Sequence, residues 1–143
     1  MKIFRILPLL VVLTFGFNAK SQTMNFLKMQ EVSFEEVLKK AKKENKMVFM
    51  DVYAVWCGPC KTMDKTTFSD ISVATKFNKE FIAYKVNADD VDGRAIVQKY
   101  RVSAYPTYLF FSPEGELINR LEGVFPSKLL MEEADYSVGL WKQ

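Results

Sequence analysis

The sequence predicts an α/β domain, a central sheet of four to five strands with helices on both faces. Three observations carry that expectation. Segments of helical periodicity alternate with short apolar runs, in the order helix, strand, helix, strand, helix, strand, strand, helix. The run from Met47 to Val55 is mostly apolar, as a strand buried on both faces requires. The last two strands are joined by Ser112-Pro113-Glu114-Gly115, a short turn that makes them a hairpin. With 143 residues, 49% of them hydrophobic, the chain can bury one ordinary core.

Residues 1–21 read as a cleaved secretory signal peptide, and 22–143 as the single folded domain. Lys2 and Arg5 form a positive start, Ile6 to Phe17 an apolar stretch, and Ala19 and Ser21 the small residues before a cut at Gln22. The apolar stretch is too short to span a bilayer, which needs roughly 20 residues. An exported, periplasmic protein without stable membrane insertion is expected. Lys2, Arg5 and Lys20 account for the whole net charge of +3, leaving 17 basic and 17 acidic residues beyond the leader. A folded domain so balanced offers no nucleic-acid footprint.

The first helix starts at Ser33, whose hydroxyl caps it while Glu36 completes a capping box. Val32 and Val37 are placed to form a hydrophobic staple, and Phe34, Val37, Leu38 and Ala41 recur on one face. Lysines 39, 40, 42, 43 and 46 gather toward its end, where the dipole favours cations. There is room for a short additional strand before Ser33. After the strand at 47–55 comes Trp56-Cys57-Gly58-Pro59-Cys60-Lys61, where Pro59 fits the first turn of a second helix. Ser69 or Asp70 caps a third helix bearing Ile71, Val73, Ala74 and Phe77. A strand from Phe81 to Val86, a loop from Asn87 to Asp92 and a helix from about Asp92 to Tyr100 follow. Asp89, Asp90 and Asp92 lack the spacing and terminal Glu of a calcium loop, so capping is expected of them. Strands at Thr107–Phe111 and Glu116–Leu121 precede a last helix from about Ser127 to Ser137.

The chain contains no His, which excludes Ser-His-Asp and Cys-His catalysis and removes the imidazole of the usual zinc centres. Cys57 and Cys60 are its only cysteines. By themselves they are a redox pair, a structural disulfide, or half of a metal site. A bridge across so short a loop restrains the unfolded chain little, and a metal site lacks its other ligands. A cysteine at a helix N-terminus is held toward thiolate, the attacking species in disulfide exchange. Redox exchange is therefore the expectation, with Cys57 attacking and Cys60, one turn in and less exposed, resolving.

The hexapeptide Trp56 to Lys61 resembles the active site of the thioredoxin family. Asp51, Lys85 and the Tyr105-Pro106-Thr107 segment resemble that family's buried acid, its neighbouring lysine and its cis-proline segment. Gly115 and Gly123 fall at matching turns, and the resemblance spans roughly Phe34 to Leu140. It implies the thioredoxin fold with a mixed sheet and a protein disulfide oxidoreductase working through Cys57 and Cys60, with no cofactor beyond that redox-active pair and no metal. Asp51 would accept the Cys60 proton through a water, or else be a core acid satisfied by Lys85. Trp56, Gly58, Pro59, Tyr105 and Pro106 would form the motif and the substrate groove. Tyr53 and Tyr105 stand where cytosolic members often carry Trp and an aliphatic residue. The stretch Met63 to Val73 more resembles exported thioredoxin-like proteins and the terminal domain of membrane disulfide reductases. Protein disulfides are the expected substrates, a membrane protein the expected electron donor, and a monomer the expected state. The Gly-Pro spacer resembles that of reducing members, so reduction is the expected direction. The alternatives are a disulfide-donating oxidase and a non-catalytic client-binding module.

Overall fold

Residues 23–143 are described by a computed structural model, so the leader expected over 1–21, with its cut before Gln22, lies outside the described residues. The chain runs β1 (Phe26–Lys28), α1 (Phe34–Glu44), β2 (Met47–Tyr53), α2 (Gly58–Lys65), α3 (Ile71–Glu80), β3 (Phe81–Asn87), α4 (Val91–Lys99), β4 (Thr107–Phe111), β5 (Leu117–Glu122) and α5 (Ser127–Trp141). A single 3-10 turn, Thr67–Ser69, links α2 to α3.

One mixed sheet of five strands has the order β1-β3-β2-β4-β5. β1 and β2 flank β3 in parallel, β4 is antiparallel to β2, and β5 is antiparallel to β4. The additional strand before Ser33 is β1. β2 ends at Tyr53, short of the expected Val55, because the Ala54 carbonyl accepts from the Cys57 N–H and turns the chain. α5 continues past Ser137 to Trp141, since Val138 and Trp141 still pack on the core.

Side chains alternate across β2 and so divide the interior in two. Met47 and Phe49 face the layer of α3 and α5, packing with Phe77, Phe110, Leu130 and Ala134. Val48, Met50 and Val52 face α1 and α4, packing with Val37, Ala41, Leu109 and Phe111. Asp51 shares the parity of Met47 and Phe49 and lies on the α3/α5 face.

The local signals explain the element ends. Ser33 accepts from the Glu36 N–H, and the Glu36 carboxylate accepts from the Ser33 N–H, closing the capping box. Of the two cap candidates for α3, Asp70 is the one used: it accepts from the Ser72 N–H and hydroxyl, hydrogen bonds that lower its pKa to about 2. Gly115 and Gly123 turn the chain at φ of 93° and 97°, where a side chain would be strained. α4 lies so close to the end of β3 that a Cβ on Gly93 would stand 1.8 Å from the Asn87 carbonyl oxygen. The loop between them is closed by its own polar groups, with Asn87 Nδ2 donating to Asp90 and the Asp89 N–H donating to Asn87.

Candidate active site

β2 delivers the chain to the site. Its end turns at Ala54, and Cys57 becomes the N-cap of α2 in extended conformation. The Cys60 N–H donates to Cys57 Sγ at 3.1 Å, so the sulfur occupies the place of a capping oxygen. Pro59 lies in the first turn, where it forfeits no intrahelical bond. Cys57 and Cys60 are joined by a disulfide, with Cα atoms 5.4 Å apart. Their burial corrects one expectation: Cys60 is not less exposed than Cys57, for the two are 4% and 3% accessible. Ala54, Tyr53 and Tyr105 pack with the two cysteines in one small cluster.

The rim is aromatic. Trp56 is 67% exposed, lies edge-on to Tyr105 at 5.9 Å, and donates its indole N–H to Asp89 at 3.4 Å. The Tyr105–Pro106 bond is cis and Pro106 is buried. Its carbonyl accepts from the Gly123 N–H, and Thr107 Oγ1 donates to the Ala104 carbonyl, which fixes the segment from both sides.

The strand that leads to the disulfide carries a buried charge. Asp51 pairs in register with Lys85 on β3 and with Tyr108 on β4, on the same face of the sheet. Lys85 Nζ is 3.1 Å from Asp51 Oδ2. It is also bonded to Asp64 of α2, at 2.5 Å, and sits over the rings of Tyr53, Phe26 and Phe68 at 4.8, 5.1 and 5.6 Å. Burial pushes the Asp51 carboxyl up to about 6; Lys85 opposes the shift and Asp64 adds to it. Burial opposes the Lys85 charge too, but the two carboxylates outweigh it and its pKa stands above the ordinary lysine value. Among the described residues, Asp51 Oδ1 and the Tyr108 hydroxyl are buried without a hydrogen-bond partner. Orphaned oxygens of that kind cost about 1–3 kcal/mol each.

The sequence-predicted residues Cys57, Cys60, Asp51, Lys85, Trp56, Gly58, Pro59, Tyr105 and Pro106 thus converge on one end of the sheet. Tyr53, noted in the sequence only as a departure from the family pattern, joins them, as do Asp64 and Tyr108, which were not singled out. The spacing held one clue to Asp64: it is four residues beyond Cys60, and so on the same side of α2.

A mixed sheet of this order, with a Cys-x-x-Cys disulfide at a helix N-terminus, defines a thioredoxin-like domain. The model for the thioredoxin-like domain matches residues 34–137, and the chain belongs to that family. It is 32% identical over 120 residues to thioredoxin Y2, chloroplastic, of Arabidopsis thaliana, which covers 84% of this chain and 62% of that protein. It is 32% identical over 105 residues to the thiol:disulfide interchange protein DsbD of Escherichia coli, covering 71% of this chain and 19% of that one. The chain thus spans less than two-thirds of the length of either relative. The solution structure of a candidate disulphide-isomerase from Bacteroides thetaiotaomicron superposes with a TM-score of 0.73 at 37% identity. That match covers 84% of this chain and 97% of the other.

Proposed function

We propose that this protein is an exported reductase of protein disulfides. The observation that carries the reading is the Cys57 sulfur at the N-cap of α2, accepting an N–H and paired to Cys60, at the end of the strand that carries the buried Asp51 carboxyl. In the reduced protein the same N–H and the helix dipole favour the Cys57 thiolate. That thiolate attacks one sulfur of a substrate disulfide, and the other substrate sulfur leaves as a thiolate. Asp51, as carboxylate, takes the Cys60 proton through a water. The Cys60 thiolate attacks Cys57 Sγ, forming the internal disulfide and expelling the second substrate thiolate. Two electrons have passed to the substrate, whose thiolates are protonated by solvent. A dithiol on a membrane partner returns two electrons to Cys57–Cys60.

Lys85 holds the Asp51 charge, and Gly58 and Pro59 set the spacing of the sulfurs. Trp56, Tyr105 and Pro106 form the groove, where the Tyr105 backbone pairs with an extended substrate segment. The leader pattern supports export, and the likeness to a protein named for thiol:disulfide interchange supports exchange with other proteins.

The test is the reduction potential of the Cys57–Cys60 couple by equilibration with a thiol buffer. A value near thioredoxin's roughly −270 mV supports reduction; a value near −120 mV reverses the direction. Cys60→Ser should trap a mixed disulfide through Cys57, and Cys57→Ser should trap none. Function surviving in the double variant would replace catalysis by client binding. An exported form whose first residue is other than Gln22 would displace the cleavage site.

A further inference from the structure

The mechanism above leaves Asp64 without a task. We propose that Asp64 is a positioning residue that shares the Lys85 ammonium with Asp51, and so keeps the buried carboxyl able to take up the Cys60 proton. The inference rests on the proton-acceptor reading of Asp51.

One cation serves two acids. Lys85 Nζ is 2.5 Å from Asp64 Oδ1 and 3.1 Å from Asp51 Oδ2, so its shorter bond goes to the residue nearer solvent. The Lys85 side chain is 14% exposed, and its head is ringed by Phe26 of β1, Tyr53 of β2 and Phe68 of the 3-10 turn. That cage, favourable to a cation, fixes where the ammonium stands. Asp64 is 45% exposed and retains much of its hydration. Its charge therefore carries little burial penalty, whereas that of Asp51 carries a full one.

An ammonium devoted to Asp51 would hold it as a permanent, weakly basic anion. An ammonium divided with Asp64 leaves Asp51 close to neutrality, where a general base is most effective. Asp64 also acts when Asp51 is protonated, because Lys85 then still has a counter-ion inside its cage. The titratable groups around Asp51 are Lys85 on β3, Tyr108 on β4, Tyr53 on its own strand and Asp64 on α2; Cys60 lies on α2 and Cys57 at its N-cap. Lys28, opposite Lys85 on β1, is exposed. Of the two carboxylates bonded to the Lys85 ammonium, Asp64 is the one open to solvent.

The test begins with the oxidised protein, in which neither sulfur titrates and the Asp51 carboxyl can be followed alone by carbon NMR. In Asp64→Asn the Asp51 titration should move toward acid by about one pH unit, and Asp64→Glu should restore it. In the reduced protein, with insulin as the disulfide substrate, the acid limb of the pH–rate profile should move the same way. The plateau should fall about threefold, as a weaker base requires. A salt bridge that merely ties α2 to β3 would lower the melting temperature of Asp64→Asn and leave the Asp51 titration in place, which would overturn the proposal. An Asp51 titration that moves without the rate limb following would overturn it as well. If the parent protein reduces no disulfide at any pH, the reductase reading fails separately, and the NMR titration alone decides whether Lys85 is shared.

Discussion

The two faces of β2 are built from alternate residues of one strand and obey different rules. Toward α1 and α4 the strand presents Val48, Met50 and Val52, all fully buried and apolar. Toward α3 and α5 it presents Met47 and Phe49 and then Asp51, a carboxyl kept in the interior by one lysine and left with an orphaned oxygen. The first face is bought by burial alone, and its stability is indifferent to pH. The second gives up stability to hold a buried acid, and it must respond to pH. Within β2 the buried charge occupies one parity of the strand, toward its C-terminal end.

Lys85→Met should produce the largest change. It leaves the Asp51 charge buried without a partner, a loss of about 3–5 kcal/mol at pH 8. Denaturant titration at pH 4, where Asp51 is protonated, should recover most of that loss. Leu109→Ala, on the opposite face, should cost about 2–5 kcal/mol by opening a cavity, by the same amount at both pH values. A pH-dependent loss there would break the contrast between the faces.

Asp51→Asn should stabilise the protein. The native carboxyl titrates at about 6 against an ordinary 3.8, so the folded state keeps its proton while the unfolded state has released it. Below pH 4 both forms are neutral and nothing is lost. Stability then falls as pH rises through 4 to 6, and above 6 the full penalty is present, on the order of 2–3 kcal/mol. The neutral isostere should regain about that much at pH 8 and nothing at pH 4, as read from paired chemical denaturation curves, while exchange slows. Trp56→Ala should do least to stability, within about 0.5 kcal/mol, because the ring is mostly solvated. Its effect should be on the KM for protein disulfides. A large loss of melting temperature would make Trp56 a packing residue.

Much of this was legible along the chain. Ser33 and Glu36 announced α1, the apolar run at 47–55 announced a central strand, which ends two residues sooner, and Pro59 between two cysteines announced a helix start. Asp51 stood out as the one charge in that run. Asp64 did not, because a surface acid on a short amphipathic helix looks like any solvated residue. Its meaning depends on the register that sets Lys85 opposite Asp51, and register is a property of paired strands. Tyr108 was hidden for a related reason. Every residue of β4 is buried, so periodicity does not say which face its hydroxyl joins. The near-equal burial of the two cysteines was also out of reach, since Tyr105, which packs with them, comes from a distant segment.

Gly93 shows how indirect evidence of importance can be. It touches no sulfur, yet any side chain there would collide with the Asn87 carbonyl and push α4 off the sheet. The loop displaced by that collision carries Asp89, which holds the Trp56 indole. A saturation library selected for redox activity would therefore rank Gly93 beside the cysteines. The same library scored for abundance would separate them, with Gly93 variants depleted and cysteine variants retained.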